Sequence, residues 1–263
     1  MQKLGIIGGI GPEATMNYYS AIIKRYQERI GTDKELPRIT IESINMYHMF
    51  RLLDAQQYEK IAGYVGAAAN NLLKAGCDFG LICGNTPHLL FDKIQARTDL
   101  SLLSIVETAV AAAQQLHLQR LALLGTKFTM QNDFFIKPFR EAGIEVCRPS
   151  EDDQPIIHQK IVDKLENGIV KKETKQQLMT IINKMVQKDH LDGAVLGCTE
   201  LPSILGQEDF KNIQVFDIAQ VQIKAAVDQL LKTTPSQNSW VPHILNIYII
   251  TLITSPSLNV NSI

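Results

Sequence analysis

The chain has 263 residues, 45% of them hydrophobic, and a net charge of −1, the balance of an ordinary globular protein long enough for two modest domains. Near-neutral charge removes the electrostatic case for nucleic acid or an anionic membrane as a partner. The four cysteines, Cys77, Cys83, Cys147 and Cys198, fit no CxxC or metal-ligand spacing, so no metal site is expected.

Residues 4–7 are an apolar strand candidate running straight into Gly8-Gly9-Ile10-Gly11-Pro12-Glu13-Ala14-Thr15. So short an apolar run before a glycine loop is no signal peptide, and the expected compartment is cytoplasmic, where thiols stay reduced. The glycines permit a sharp turn close to a ligand, while Pro12 and Glu13 suit the first turn of a helix over 13–30. The loop lacks the full GxGxxG and any Walker lysine. It reads as a small-anion loop, with Gly11 a candidate binding position.

A β-branched strand over 38–44 is followed by Tyr47, His48 and Arg51 in a loop or helix start. An alanine-rich helix over 57–73 closes at Lys74-Ala75-Gly76. A strand over 77–83 then delivers the turn Gly84-Asn85-Thr86-Pro87-His88. A short strand over 102–105 and a helix over 106–116 complete the first cycle.

The second cycle opens with a strand over 120–124, the turn Gly125-Thr126-Lys127-Phe128-Thr129-Met130 and a helix over 131–142. A strand over 144–147 and helices over 158–167 and 172–187 follow. The strand over 193–196 delivers Gly197-Cys198-Thr199-Glu200, and a last strand over 214–216 ends at Asp217 before a helix over 221–231. Alternating strands and helices predict an α/β fold of parallel sheets with right-handed crossovers. The expected division is two similar α/β domains, 1–105 with 210–232 and 106–209, with the active site in the cleft between them. Residues 233–263 form a C-terminal extension; its apolar stretch over 240–254 is too short to span a bilayer comfortably.

Strand ends of open α/β sheets are where ligands bind. Aligned on their polar ends, the two main turns place Cys198-Thr199-Glu200 over Gly84-Asn85-Thr86, so a thiol in one copy faces a hydrogen atom in the other. These stretches, with the Gly8 loop, the Gly125 turn and Val215-Phe216-Asp217, occur in the order found in the aspartate/glutamate racemase superfamily. The chain over about 1–232 resembles its aspartate racemase-like branch, and the extension lies outside the match.

That resemblance implies cofactor-independent racemisation at the carbon next to a carboxylate, on a small amino acid, by an enzyme expected to be a homodimer. Two cysteines then work from opposite faces, one as thiolate base and the other as acid. An electropositive turn that lowers a thiol's pKa would suit that role. Cys198 matches the second cysteine, while the first cysteine's position is Gly84. Cys83 stands one residue away as a candidate second thiol, although strand alternation turns it toward the core. A cysteine restored at position 84 is expected to supply two-base chemistry.

The resemblance assigns substrate binding to Asn85, Thr86, Thr126, Thr129, Thr199 and Glu200, and on a looser alignment to Arg51. Turn capping is the competing reading for the Asn and Thr residues. Glu166 falls where aspartate-selective members often carry a lysine, and a carboxylate there repels an acidic side chain. Gln222 stands where many members have histidine. The rival readings are a one-cysteine decarboxylase or isomerase of a small carboxylate, like the arylmalonate decarboxylases with their Gly at this position, and a silent small-carboxylate binding protein.

Overall fold

Two four-stranded parallel sheets of matching strand order organise the chain in the computed structural model, which describes residues 2–232. The first half holds β1 (Lys3–Gly8), α1 (Pro12–Ile30), β2 (Arg38–Ser43), α2 (Met46–Asp54), α3 (Tyr58–Lys74), β3 (Phe79–Ile82), α4 (Phe91–Gln95) and β4 (Leu102–Leu103). Its strand order is β2-β1-β3-β4. Then come α5 (Ile105–Gln115), β5 (Arg120–Leu124), α6 (Lys127–Gln131), α7 (Asp133–Glu141), β6 (Glu145–Cys147), α8 (Asp153–Asp163), α9 (Lys172–Asp189), β7 (Gly193–Leu196), β8 (Gln214–Asp217) and α10 (Ile218–Leu230). The second sheet runs β6-β5-β7-β8. This is the expected α/β fold with two similar halves. The expected extension over 233–263, including the apolar stretch at 240–254, lies outside the described residues.

Each sheet is apolar on both faces, because helices cover both. In the first, Ile7 and Ile82 face Val65 and Ala69 of α3. Leu4, Ile6, Phe79 and Leu81 face Tyr18 and Ile22 of α1 and Ile223 and Val227 of α10. In the second, Leu124 and Leu196 face Leu178 and Ile182 of α9, while Leu123 and Val195 face Ala109 of α5 and Phe135 of α7. The stripe Ala14, Tyr18, Ile22, Tyr26 is what buries α1, four residues apart on one helical face. Gly31 ends that helix in the left-handed conformation, φ +73.

One detail of the expected division is corrected by the second sheet. β8 pairs with β7 in register Leu196↔Asp217, so it belongs to the second sheet although it lies within 210–232. Only α10 crosses back, to pack on α1. Locally, the helix expected over 131–142 is α7, Asp133–Glu141, and the turn expected over 125–130 holds a short helix of its own, α6, which Asn132 separates from α7 because its extended backbone (ψ 144) cannot continue a helix. The helix expected over 158–167 starts earlier, at Asp153, and gives way to a 3-10 turn over Leu165–Asn167.

The strand order positions the site. In each half the chain leaves the central strand for one neighbour and later returns on the other side, which makes a switch point between β1 and β3 and another between β5 and β7. The Gly8 loop and the Gly84 turn leave the first; the Gly125 turn and the Gly197 turn leave the second.

Candidate active site

The two halves are tied across the cleft by one amide. Asn85 Nδ2 donates to the Gly197 carbonyl (3.1 Å) and to Thr129 Oγ1 (3.3 Å). Asn85 therefore does not cap its own turn; its side chain spans 112 residues of sequence to the turn that carries Cys198. Its Oδ1 is buried and has no hydrogen-bond partner among the described residues. Thr129 is itself buried, and its hydroxyl sits 3.5 Å from that of Thr126. The Thr126 side chain makes no cap bond to α6, so turn capping does not account for it.

On the second half, Cys198 is 9% exposed, and its Sγ donates to Glu200 Oε2 at 2.8 Å. The Thr199 hydroxyl donates to the other carboxylate oxygen, also at 2.8 Å. The expected low thiol pKa is reversed here. Burial pushes the Cys198 thiol well above its ordinary value, and the Glu200 charge and its acceptance of the thiol hydrogen push it further. The Glu200 amide N–H works the other way but is outweighed. Cys198 rests as a thiol, with a proton acceptor already bonded to it.

Glu166 adds a second negative field at this thiol. It sits on the 3-10 turn whose Leu165 packs in the same apolar cluster as Cys198 and Leu201. Loss of solvent, then the Glu200 charge, raises the Glu166 carboxyl above its ordinary value, against the opposing field of His158.

The first half looks different. Cys83 is fully buried beside Leu81 and Tyr18, following the alternation of Phe79 and Leu81 on that face. Burial raises its thiol to about 12, with a Thr15 hydrogen bond opposing. Gly84 has φ +154, and a Cβ placed there would meet the Ile10 side chain and carbonyl at 3.0 Å. The place of the absent first cysteine is therefore closed by Ile10 from the β1–α1 loop, on a backbone shaped for glycine. Within that loop Gly9 (φ +77) lies where a Cβ would strike the Ile44 carbonyl at 2.2 Å. Its N–H donates to Thr15 Oγ1 (2.9 Å), which in turn donates to the Gly11 carbonyl (3.0 Å). Gly11 itself faces open space: a side chain starting there would meet nothing within 4 Å.

In the sequence His88 only trails the turn; in the structure it is a strut. It is 4% exposed. Its Nδ1 bonds the Gly84 carbonyl at 2.9 Å, and its Nε2 accepts the Ile105 N–H at 3.1 Å. An Nε2 acceptor leaves the proton on Nδ1, so the ring is neutral and links the Gly84 turn to the start of α5. Burial lowers its pKa to about 4. Gln222, fully buried, likewise accepts the Tyr18 hydroxyl (2.8 Å) and donates to the Leu103 carbonyl (2.7 Å). Asp217 caps α10 through the amides of Ala219 and Gln220.

The remaining candidates are not tied into this network. Arg51 is exposed on α2, and neither its guanidinium nor the Thr86 hydroxyl makes a hydrogen bond among the described residues. Among those residues, no group of three His, Cys, Asp or Glu side chains could hold a metal ion, and no helix is long and apolar enough to cross a membrane.

Two similar parallel α/β halves, with a thiol and a carboxylate at one of the facing strand ends, define the racemase class of fold. Residues 7–226 match the Asp/Glu/hydantoin racemase family, and the chain belongs to it. It is 24% identical over 231 residues to the broad specificity amino-acid racemase RacX of Bacillus subtilis (strain 168), covering 87% of this chain and 98% of that one. An aspartate racemase homologue from Pyrococcus horikoshii OT3 superposes with a TM-score of 0.81 at 31% identity, covering 88% of this chain and all of that one. The aspartate racemase of Picrophilus torridus shares the fold, with a TM-score of 0.68 at 22% identity over 87% of this chain and 94% of that one.

Proposed function

We propose that the protein is a pyridoxal-independent amino-acid racemase in which Cys198 and Glu200 together move the α-proton. The observation that carries this reading is the 2.8 Å bond from the Cys198 thiol to the Glu200 carboxylate. Glu200 takes the thiol proton, and the thiolate takes the α-hydrogen, which regenerates the thiol and leaves the electron pair on the substrate. Fixed donors such as the Thr86 and Thr126 hydroxyls stabilise the charge that builds on the substrate carboxylate. The unpartnered Asn85 Oδ1 suits an incoming ammonium N–H, since an unmet buried acceptor costs about 1–3 kcal/mol.

Return of the proton to the opposite face is where this site departs from a two-thiol arrangement. Gly84 and Ile10 offer no titratable side chain there, and Cys83 points into the core. Water supplies that proton, and the resulting hydroxide is neutralised by the proton held on Glu200. The same reading carries a cytoplasmic location and a homodimer, the latter checked by sedimentation of the purified chain.

The test is α-proton exchange in heavy water across a panel of L- and D-amino acids. Deuterium incorporation with eventual inversion is expected, reduced about 10³-fold in Cys198→Ala, within the usual range for a lost acid–base group. No exchange on any amino acid sinks the reading. A second reading, one-proton decarboxylation of a small malonate, is favoured by the raised thiol and the apolar Ile10 opposite. Carbon dioxide release from a disubstituted malonate, dependent on Cys198, would establish it instead.

A further inference from the structure

We propose that the second half carries a binding site for a small phosphate ester with a hydroxylated body, such as a sugar phosphate, in the cavity between α6 and α8. The site shares no residue with the Cys198–Glu200 pair or the Asn85 tie, and the inference does not depend on the racemase reading.

The cavity holds about 600 Å³, within the range of small-molecule sites, and three separated segments line it. Lys127 and Gln131 come from α6, Arg148 and Glu151 from the β6–α8 connection, and Gln154 and His158 from α8. Lys127 and Gln131 lie one turn apart on the exposed side of α6, whereas Thr129 and Met130 are buried. The cavity is therefore on the other side of that helix from the Thr129 hydroxyl.

Cations outnumber anions in this lining. Lys127 has no ion pair among the described residues. Arg148 gives one end of its guanidinium to Asp133 at 2.6 Å, a carboxylate that Arg140 also approaches at 4.0 Å. The other donors of that fork make no hydrogen bond among the described residues. His158 Nδ1 accepts the Lys127 amide N–H at 3.3 Å, which ties α6 to α8 and puts the imidazole proton on Nε2, a further donor. Against these groups the lining sets one carboxylate, Glu151. The floor is fixed: Gln154 is 8% exposed, its Nε2 donates to the Pro149 carbonyl at 2.9 Å, and its Oε1 accepts from Gln131 Nε2 at 3.2 Å.

The donor set selects the ligand. An ammonium, a forked guanidinium and an imidazole N–H match the several oxygens of a phosphate monoester better than the two of a carboxylate. A bare phosphate would leave most of the cavity empty. Among the described residues lining it, His158 is the one aromatic ring, so a nucleobase finds no broad stacking platform. The carboxamides of Gln131 and Gln159 instead present donors and acceptors to hydroxyl groups.

Calorimetric titration of the full chain tests the proposal, with ribose 5-phosphate and glucose 6-phosphate set against glucose, citrate and adenosine monophosphate. Saturable binding of the sugar phosphates is expected, with a Kd of about 0.1–1 mM, weakening as salt screens the charges. Glucose should not bind. Lys127→Gln and Arg148→Gln should each weaken binding about tenfold, as loss of a charge-assisted hydrogen bond does. Both side chains are exposed, and the wild-type panel stands whatever either variant does to folding. No saturable binding of either sugar phosphate at about 10 mM overturns the proposal. Tighter binding of citrate or adenosine monophosphate overturns the ligand class. Unchanged binding in both variants overturns the site.

Discussion

The Gly84 turn and the Cys198 turn are the same element in two halves, leaving equivalent strands β3 and β7 at equivalent switch points. What they carry differs completely. The Cys198 turn holds a thiol bonded to a carboxylate, with a second carboxylate nearby. The Gly84 turn holds no titratable side chain facing the cleft; its polar equipment is an amide that reaches across and a buried imidazole behind. In the proposed mechanism one half does proton chemistry, and the other holds the geometry. Duplication of a fold gives two chances to place a reactive group, and that mechanism uses one.

The division can be broken from the supporting side first. His88 is neutral in the fold with a pKa near 4 against an ordinary 6.5. Between those values the unfolded chain binds more protons, so stability falls as pH drops from 6.5 toward 4, by at most about 3 kcal/mol. Denaturant unfolding across that range should show the loss, and His88→Gln should flatten it. An identical pH slope in the variant would remove His88 from the strut role.

The reactive side is broken more selectively by Glu200→Gln. Losing the carboxylate lowers the Cys198 pKa, so alkylation by iodoacetamide at about pH 8, near the ordinary thiol range, should speed up. Exchange of the substrate α-proton should instead slow, by about tenfold to a hundredfold, because the proton acceptor is gone. The opposite signs separate an acid–base partner from a residue that only shapes the turn. If both rates fall together, the partnership is wrong.

Gly84→Cys sharpens the comparison. With φ +154 and Ile10 at 3.0 Å, a cysteine there is expected to cost about 1–2 kcal/mol of stability through backbone strain and crowding. It should not raise the inversion rate. A stable, faster variant would show that the cleft face of Gly84 is open after all.

Much of the architecture is legible in the sequence. Apolar strands that stop at glycine mark the four switch-point turns, and strand alternation alone turns Cys83 inward. The short helix α6 within the Gly125 turn is not marked; it ends at Asn132, whose backbone is extended while its Nδ2 donates to the Phe128 carbonyl at 2.8 Å. The sheet membership of β8 is also hidden: one short strand, Gln214–Asp217, fits either half until its register with β7 is known. The sign of the Cys198 shift fails for a related reason. Turn dipoles argue for a lower pKa, but the outcome depends on whether the Glu200 side chain folds back onto the sulfur two residues earlier. Likewise Ile10 looks like a loop residue between glycines until its contact with Gly84 is seen.

The asymmetry itself is tested most directly by timing exchange against inversion in heavy water. With one enantiomer of an accepted amino acid, proton NMR follows loss of the α-hydrogen while optical rotation follows inversion. A single thiol acting from one face returns deuterium to that face more often than water delivers it to the other. Exchange with retention should therefore outrun inversion several-fold, in both directions, and both should fall about 10³-fold in Cys198→Ala. Inversion at the same rate as exchange, with the product arriving singly deuterated and the unreacted enantiomer still protonated, would mean that a second acid–base group stands on the Gly84 face, and would contradict one-thiol chemistry.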